Sequence, residues 1–209
     1  MIWHEVRVHP SAARLPREAQ LTWKIAELAA AAPPPEAAVA DMVACRVVDN
    51  AGVALAAINR QPVATARVMA LAHPRPHGAT LFGLPAAIRV QAEWACWANA
   101  TAVRELDFHD CVSPGAHPGD NIAPLIAVAQ QMGCDGAALV RAIAVAYEVQ
   151  VALVKGMPLA PHPEGTDRAF VPGHDGRPGG AAGVARLDDL SRPESVRAAG
   201  VLAAPDAHR

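Results

Sequence analysis

Between Glu36 and Ile58 the apolar residues Val39, Met42, Val43, Val47, Val48, Ala51, Leu55 and Ile58 recur at helical intervals. This i, i+3, i+4 rhythm holds for about six turns. A sheet needs a side-chain period of two, so a pattern this long and regular commits the chain to helix packing. Neighbouring stretches repeat it. Leu21, Ile25, Leu28 and Ala29 share one face of a helix that follows Pro16 and is stopped by Pro33-Pro34-Pro35, because proline cannot continue a helix interior. A third helix is predicted over residues 62–72 and a fourth over 90–106, with Trp94 and Trp97 as core or interface anchors. A fifth runs from about Asp120 to Met132, with Asp120 and Asn121 as N-terminal caps and Gly133 as its end. The sixth spans 135–155; Gly156 follows as a stop, and Lys155 is a helix-end cation facing the dipole. Between them, 73–78 is predicted as a turn and 80–83 as a short extended piece. Alternation from Trp3 to His9 suggests an edge strand or arm. Asp49 and Asn50 sit within the apolar second helix and are expected to be a hydrogen-bonded polar pair. The fold class is all-α.

Hydrophobic residues make up 52% of the 209 but aromatics only 4%, so Ala and Val must supply a core of closely packed helices. A net charge of −2 with scattered basic residues argues against nucleic acid or an anionic membrane as partner. Cys45, Cys96, Cys111 and Cys134 form no CxxC pair, which fits reduced thiols. The N-terminus lacks the basic flank and apolar run of a signal peptide, and charged residues interrupt the longest apolar runs short of a membrane span. A cytoplasmic protein is expected. After Met157 the chain changes character: from Pro158 to Arg209 there is no Ile, Lys, Asn, Gln, Tyr, Trp, Cys or Met. Such a segment buries too little apolar surface to offset its ordering entropy. Residues 1–157 are therefore read as the folded unit. Residues 158–209 are read as an irregular tail, either flexible or the product of GC-rich coding sequence read out of frame.

Chemistry concentrates between Glu105 and Ile122, where Glu105, Asp107, His109, Asp110, His117 and Asp120 gather in a segment broken by Pro114, Gly115, Pro118 and Gly119. Loops held by a rigid scaffold are where binding and catalytic groups collect. An imidazole and a carboxylate brought together can divide proton removal and proton donation between them. Asp107 and His117 lie on either side of the Pro/Gly turn, so the chain can fold back to join them. Three readings remain open on the residues alone: proton transfer by this pair, a mixed site in which His109, Asp110 and Asp120 join His117 around a metal, or a solvated loop with capping aspartates.

Glu105-Leu-Asp-Phe-His-Asp followed by His117-Pro-Gly-Asp-Asn-Ile resembles the signature of the MmgE/PrpD family. Trp3-His4 to Leu15-Pro16, Val48-Asp49-Asn50, Thr80-Leu81-Phe82-Gly83 and Ala146-Tyr147-Glu148-Val149-Gln150 resemble it too, in the same order. The likeness covers residues 1–157 and is greatest to the 2-methylcitrate dehydratase branch, although the Asp107–His117 spacing is that of the cis-aconitate decarboxylase branch. Cys111 stands where the family commonly has threonine. The resemblance implies a mostly helical N-terminal domain, a homodimer, a small tricarboxylic acid substrate, and dehydration without an iron–sulfur cluster or other cofactor or metal.

It places Asp107 and His117 in the active site as catalytic residues. His117 is the better proton-transfer group, since histidine ordinarily titrates near neutrality. Substrate contacts then fall to His109, Asp110 and Asp120, with the helix start at Asp120 a candidate anchor for a substrate carboxylate. Further family catalytic residues lie downstream of the resemblance and are not carried over to Lys155, His162 or His174. A helical domain that is incomplete, and a chain inactive as written, is the corresponding expectation.

Overall fold

The computed structural model describes residues 14–113 and 116–156. The order is a 3-10 turn (Arg17–Ala19), α1 (Leu21–Ala31), α2 (Ala37–Ala56), α3 (Gln61–Leu71), β1 (Pro74–Ala79) and α4 (Ala92–Arg104). A second 3-10 turn (Pro118–Asn121), α5 (Ile122–Met132) and α6 (Gly136–Gly156) follow. All six helices fall where the apolar rhythm puts them, and the architecture is all-α but for one short strand. The expected N-terminal arm and the 158–209 tail lie outside the described residues.

Helix α4 is central, packed against α2, α3 and α5. Its buried face is nearly all small: Ala92, Ala95, Ala98, Ala100 and Ala102. Alanine lets neighbouring helices approach closely and loses no side-chain entropy on burial. Larger side chains fill the gaps at either side. Leu81 and Val90 do so beneath β1 and α4, Ile122, Leu125 and Ile143 between α5 and α6, and Val63 with Val103 between α3 and α4. Trp94 stacks on His73 at 4.0 Å and meets Trp97 edge-on at 5.7 Å, both indoles half-buried against the first of these clusters.

Three local expectations need correction. Residues 74–79 form a strand, not a turn: Pro74 and Ala79 bridge antiparallel to Val90, with Arg75 N–H donating to Arg89 O at 3.0 Å. Proline and glycine there mark an edge strand, which needs few donors, and Gly78 is dictated by contact, since a Cβ would sit 2.1 Å from Val90 O. Asp120 and Asn121 do not cap α5 with their side chains; both are drawn into contacts described below. Gly156 is the last residue of α6, and Gly133 ends α5 in the left-handed region at φ 69°.

Last, α6 carries too few charges to interrupt it: Gly136–Val154 is long and apolar enough to cross a membrane by length and composition. It packs against α1, α2, α5 and the Pro118 turn, as a core helix does. Arg141 fixes it to α1 by donating to the Ala32 carbonyl at 3.0 Å, satisfying a helix-end acceptor.

Two side-chain clamps set the path from β1 to the site. Asn99, buried on α4, accepts from Phe82 N–H at 2.9 Å and donates to Thr80 O at 3.0 Å. Gln130 on α5 accepts from Thr80 N–H at 2.8 Å. Thr80–Gly83 is thus an extended lead into a turn, held from both flanking helices.

Candidate functional site

The polar segment leaves α4 at Arg104 and doubles back through a pair of backbone hydrogen bonds, Val112 N–H to Ala116 O and Ala116 N–H to Val112 O, each 2.8 Å. That pinch brings the two ends of the loop together over the start of α5. His117 Nε2 comes to lie 3.8 Å from Asp107 Oδ1. The rings of His109 and His117 are 4.9 Å apart and tilted by 37°.

Each imidazole is fixed by its other nitrogen. His117 Nδ1 is 2.8 Å from the Asp110 carbonyl oxygen, which can only accept, so Nδ1 carries the hydrogen. In the neutral ring Nε2 is then the basic nitrogen, and it faces Asp107. A histidine with its proton-bearing nitrogen tied to the backbone is oriented for proton transfer at the other. His109 has a side chain with no exposure and places Nε2 at 3.0 Å from Asp120 Oδ1. Its ring fills the space behind His117.

Asp107 is exposed and takes φ 56°, a left-handed conformation that aspartate tolerates better than most residues. Strain of this kind is retained where surrounding contacts over-determine it. Here the contact is Arg104, whose Nη1 donates to Asp107 Oδ1 at 2.8 Å while its Nε stands 3.9 Å from Asp120 Oδ1. One guanidinium therefore serves the carboxylate facing His117 and the carboxylate facing His109. Arg104 is the residue the sequence reading missed; its signal was the i, i+3 spacing to Asp107 at a helix end.

Asp110 turns inward. Its Oδ1 accepts from Gly119 N–H at 2.8 Å, and the approach is so close that a Cβ on Gly119 would lie 2.6 Å from that oxygen and 2.9 Å from Asn50 Nδ2. Tyr147 reaches the same region from α6; burial first, and then the Asp110 carboxylate beside it, push its phenol pKa well up. Asn121 donates to Pro118 O at 3.0 Å and to Gln150 Oε1, which ties α6 to the loop. The Ala146–Gln150 stretch thus meets the site through Tyr147 and Gln150. Asp49 stays at the surface, 4.0 Å from Arg46. Asn50 is completely buried, and both atoms of its amide lack a hydrogen-bond partner. The expectation of a satisfied polar pair at 49–50 is therefore corrected.

Of the predicted site residues, Asp107, His109 and His117 come together, each offering an atom within 4.8 Å of the others. This differs from the metal set considered from sequence, because Asp110 is spent on Gly119 and Asp120 on His109. Two imidazoles and a carboxylate suit a borderline divalent ion. Against that, the guanidinium of Arg104 already holds the carboxylate. The arrangement brings together an imidazole of fixed tautomer, an adjacent carboxylate and a cation behind it.

The chain is thus a mostly helical domain that carries an imidazole–carboxylate pair on the loop between α4 and α5. Residues 19–207 match the model of the MmgE/PrpD N-terminal domain. The chain belongs to the MmgE/PrpD family, whose members are generally hydro-lyases or related to dehydratases.

Proposed function

We propose that this chain is a hydro-lyase of the 2-methylcitrate dehydratase type, removing water from 2-methylcitrate to give 2-methyl-cis-aconitate in the breakdown of propionate. The observation that carries the reading is the His117 ring, with Nδ1–H bound to the Asp110 carbonyl and Nε2 facing Asp107 at 3.8 Å. His117 Nε2 takes the proton beside a substrate carboxylate. The electron pair left on carbon forms the double bond as the hydroxyl departs. Asp107 stabilises the imidazolium, which is then the nearest donor to the leaving oxygen, so that a proton and a hydroxide leave as water. Asp120 and His109 support the pair through Arg104, and Asp110 sets the His117 tautomer. The proposal includes a cytoplasmic homodimer acting on a small tricarboxylic acid, without an iron–sulfur cluster or other cofactor.

The test is turnover of 2-methylcitrate by the purified chain, with His117→Ala and Asp107→Asn alongside. Loss of a positioned proton-transfer group lowers the rate by roughly 10²–10⁴-fold. Release of carbon dioxide from cis-aconitate would instead favour a decarboxylase-like activity at the same pair.

A second reading has its own support. Leu21, Leu28, Met42, Val48, Leu55 and Val68 are large apolar side chains left exposed on α1–α3. Exposed apolar side chains that gather into one patch mark association. They fit a non-catalytic helical unit that at most dimerises, and a folded dimer without turnover of any tricarboxylate would favour it.

A further inference from the structure

Asn50 stands in the middle of α2, on a helix whose other buried residues are Val43 and Ala54. It is fully buried, with Oδ1 and Nδ2 both unpartnered. A leucine or valine would fill such a position without stranding a donor or an acceptor. What the amide faces is specific. Helix α2 packs on the Pro118–Asn121 turn, and the space where a Gly119 Cβ would stand lies 2.9 Å from Asn50 Nδ2, 2.6 Å from Asp110 Oδ1 and 3.2 Å from His109 Cδ2. The amide donor and the carboxylate acceptor thus flank one point beside the bare Gly119 Cα, with the edge of the His109 ring next to it. Asp110 in turn holds both ends of the turn: its carboxylate takes the Gly119 N–H and its carbonyl takes His117 Nδ1.

We propose that Asn50 is a positioning residue: its amide, facing the Asp110 carboxylate across Gly119, keeps the 110–119 turn in the register that holds His117 as its Nδ1–H tautomer. Asn50 touches neither substrate nor His117; it acts through Asp110. The inference rests on the reading of His117 as the proton-transfer group, but its test needs no substrate.

Long-range proton–nitrogen NMR on the full chain reads the tautomer of each imidazole. With Asn50→Leu, similar in shape but without the amide dipole that faces the Asp110 carboxylate, the excess of the Nδ1–H form of His117 over the Nε2–H form should fall about tenfold as the turn loses its register. Asn50→Ser retains a donor and should fall less. Should the leucine variant fail to fold, the serine variant decides by the same signals. His117 spectra unchanged from the parent in the folded variants would overturn the proposal and leave Asn50 as filler. A chain that does not turn over 2-methylcitrate but shows the tautomer shift would defeat the functional reading while leaving this one standing.

Discussion

Gly119→Ala is the substitution that most sharply tests how the loop is held. The new Cβ would meet Asp110 Oδ1 at 2.6 Å, Asn50 Nδ2 at 2.9 Å and His109 Cδ2 at 3.2 Å. The first two distances are shorter than non-bonded atoms accept, and none of the three groups is free to swing aside. Asp110 Oδ1 is bound to the Gly119 N–H itself, His109 is bound to Asp120, and Asn50 is enclosed. Overpacking of this kind costs about 1–3 kcal/mol. Displacing the Asp110 carboxylate removes a hydrogen bond to a charged group, a further ~1.5–3 kcal/mol if it is fully lost. A net loss of about 2–4 kcal/mol is expected.

Gly52→Ala is the matched control, since nothing lies within 4 Å of a Cβ there and the residue is inside α2. Relief of glycine's entropy in a helix should stabilise that variant by about 0.5–1 kcal/mol. Urea unfolding of both variants beside the parent gives the comparison. With a slope of about 2 kcal/mol per molar, the Gly119→Ala midpoint should fall by about 1–2 M. A Gly119→Ala chain as stable as the parent would refute the close approach of Asp110 and Asn50, and with it the rigid loop.

Other outcomes follow from contacts away from the loop. Asn99→Leu strands the Phe82 N–H and the Thr80 carbonyl, which Asn99 now pairs at 2.9 and 3.0 Å, and should cost about 2–4 kcal/mol in the same unfolding assay. Cys45 and Cys111 are exposed and should react promptly with a disulfide reagent at neutral pH, while buried Cys96, its thiol pushed up to about 12 by burial and then by Glu93, should react only on unfolding. The same shift has a sign: Cys96 rises from an ordinary 9.0 to about 12 in the folded chain, so its contribution to stability is whole below pH 9 and is lost as pH climbs towards 12. Tyr147, shifted in the same direction, adds to that alkaline loss, which thermal unfolding against pH would record.

Helices were legible because their apolar rhythm and their Pro and Gly ends are local properties of the chain. Val43, now buried with Leu125 and Ile143 between α2, α5 and α6, lay on a face marked in advance. The strand at 74–79 was not legible, since Pro74, Pro76 and Gly78 carry the composition of a turn and become a strand only by bridging to Val90. Residues at the site were misassigned for a related reason. Asp120 and Asn121 have the chemistry of caps, but tertiary partners compete for them: Asp120 is taken by His109 and Asn121 by Gln150. Composition made Asn50 an ordinary polar residue in a helix, and only the fold reveals that its amide is enclosed against Gly119. The Asp107–His117 approach was open to the sequence because a Pro/Gly turn between the two permits it. The role of Arg104 needed both carboxylates placed in space.

The most direct test of the central claim is formation of the conjugated product from 2-methylcitrate, followed by ultraviolet absorbance and confirmed by mass spectrometry. The parent chain would be assayed beside a folded His117→Ala variant, both in the presence of a chelator. Water loss by the parent that falls by two orders of magnitude or more in the variant is the result expected of an imidazole base. Equal rates in the two chains, or no unsaturated product from a demonstrably folded parent, would contradict it.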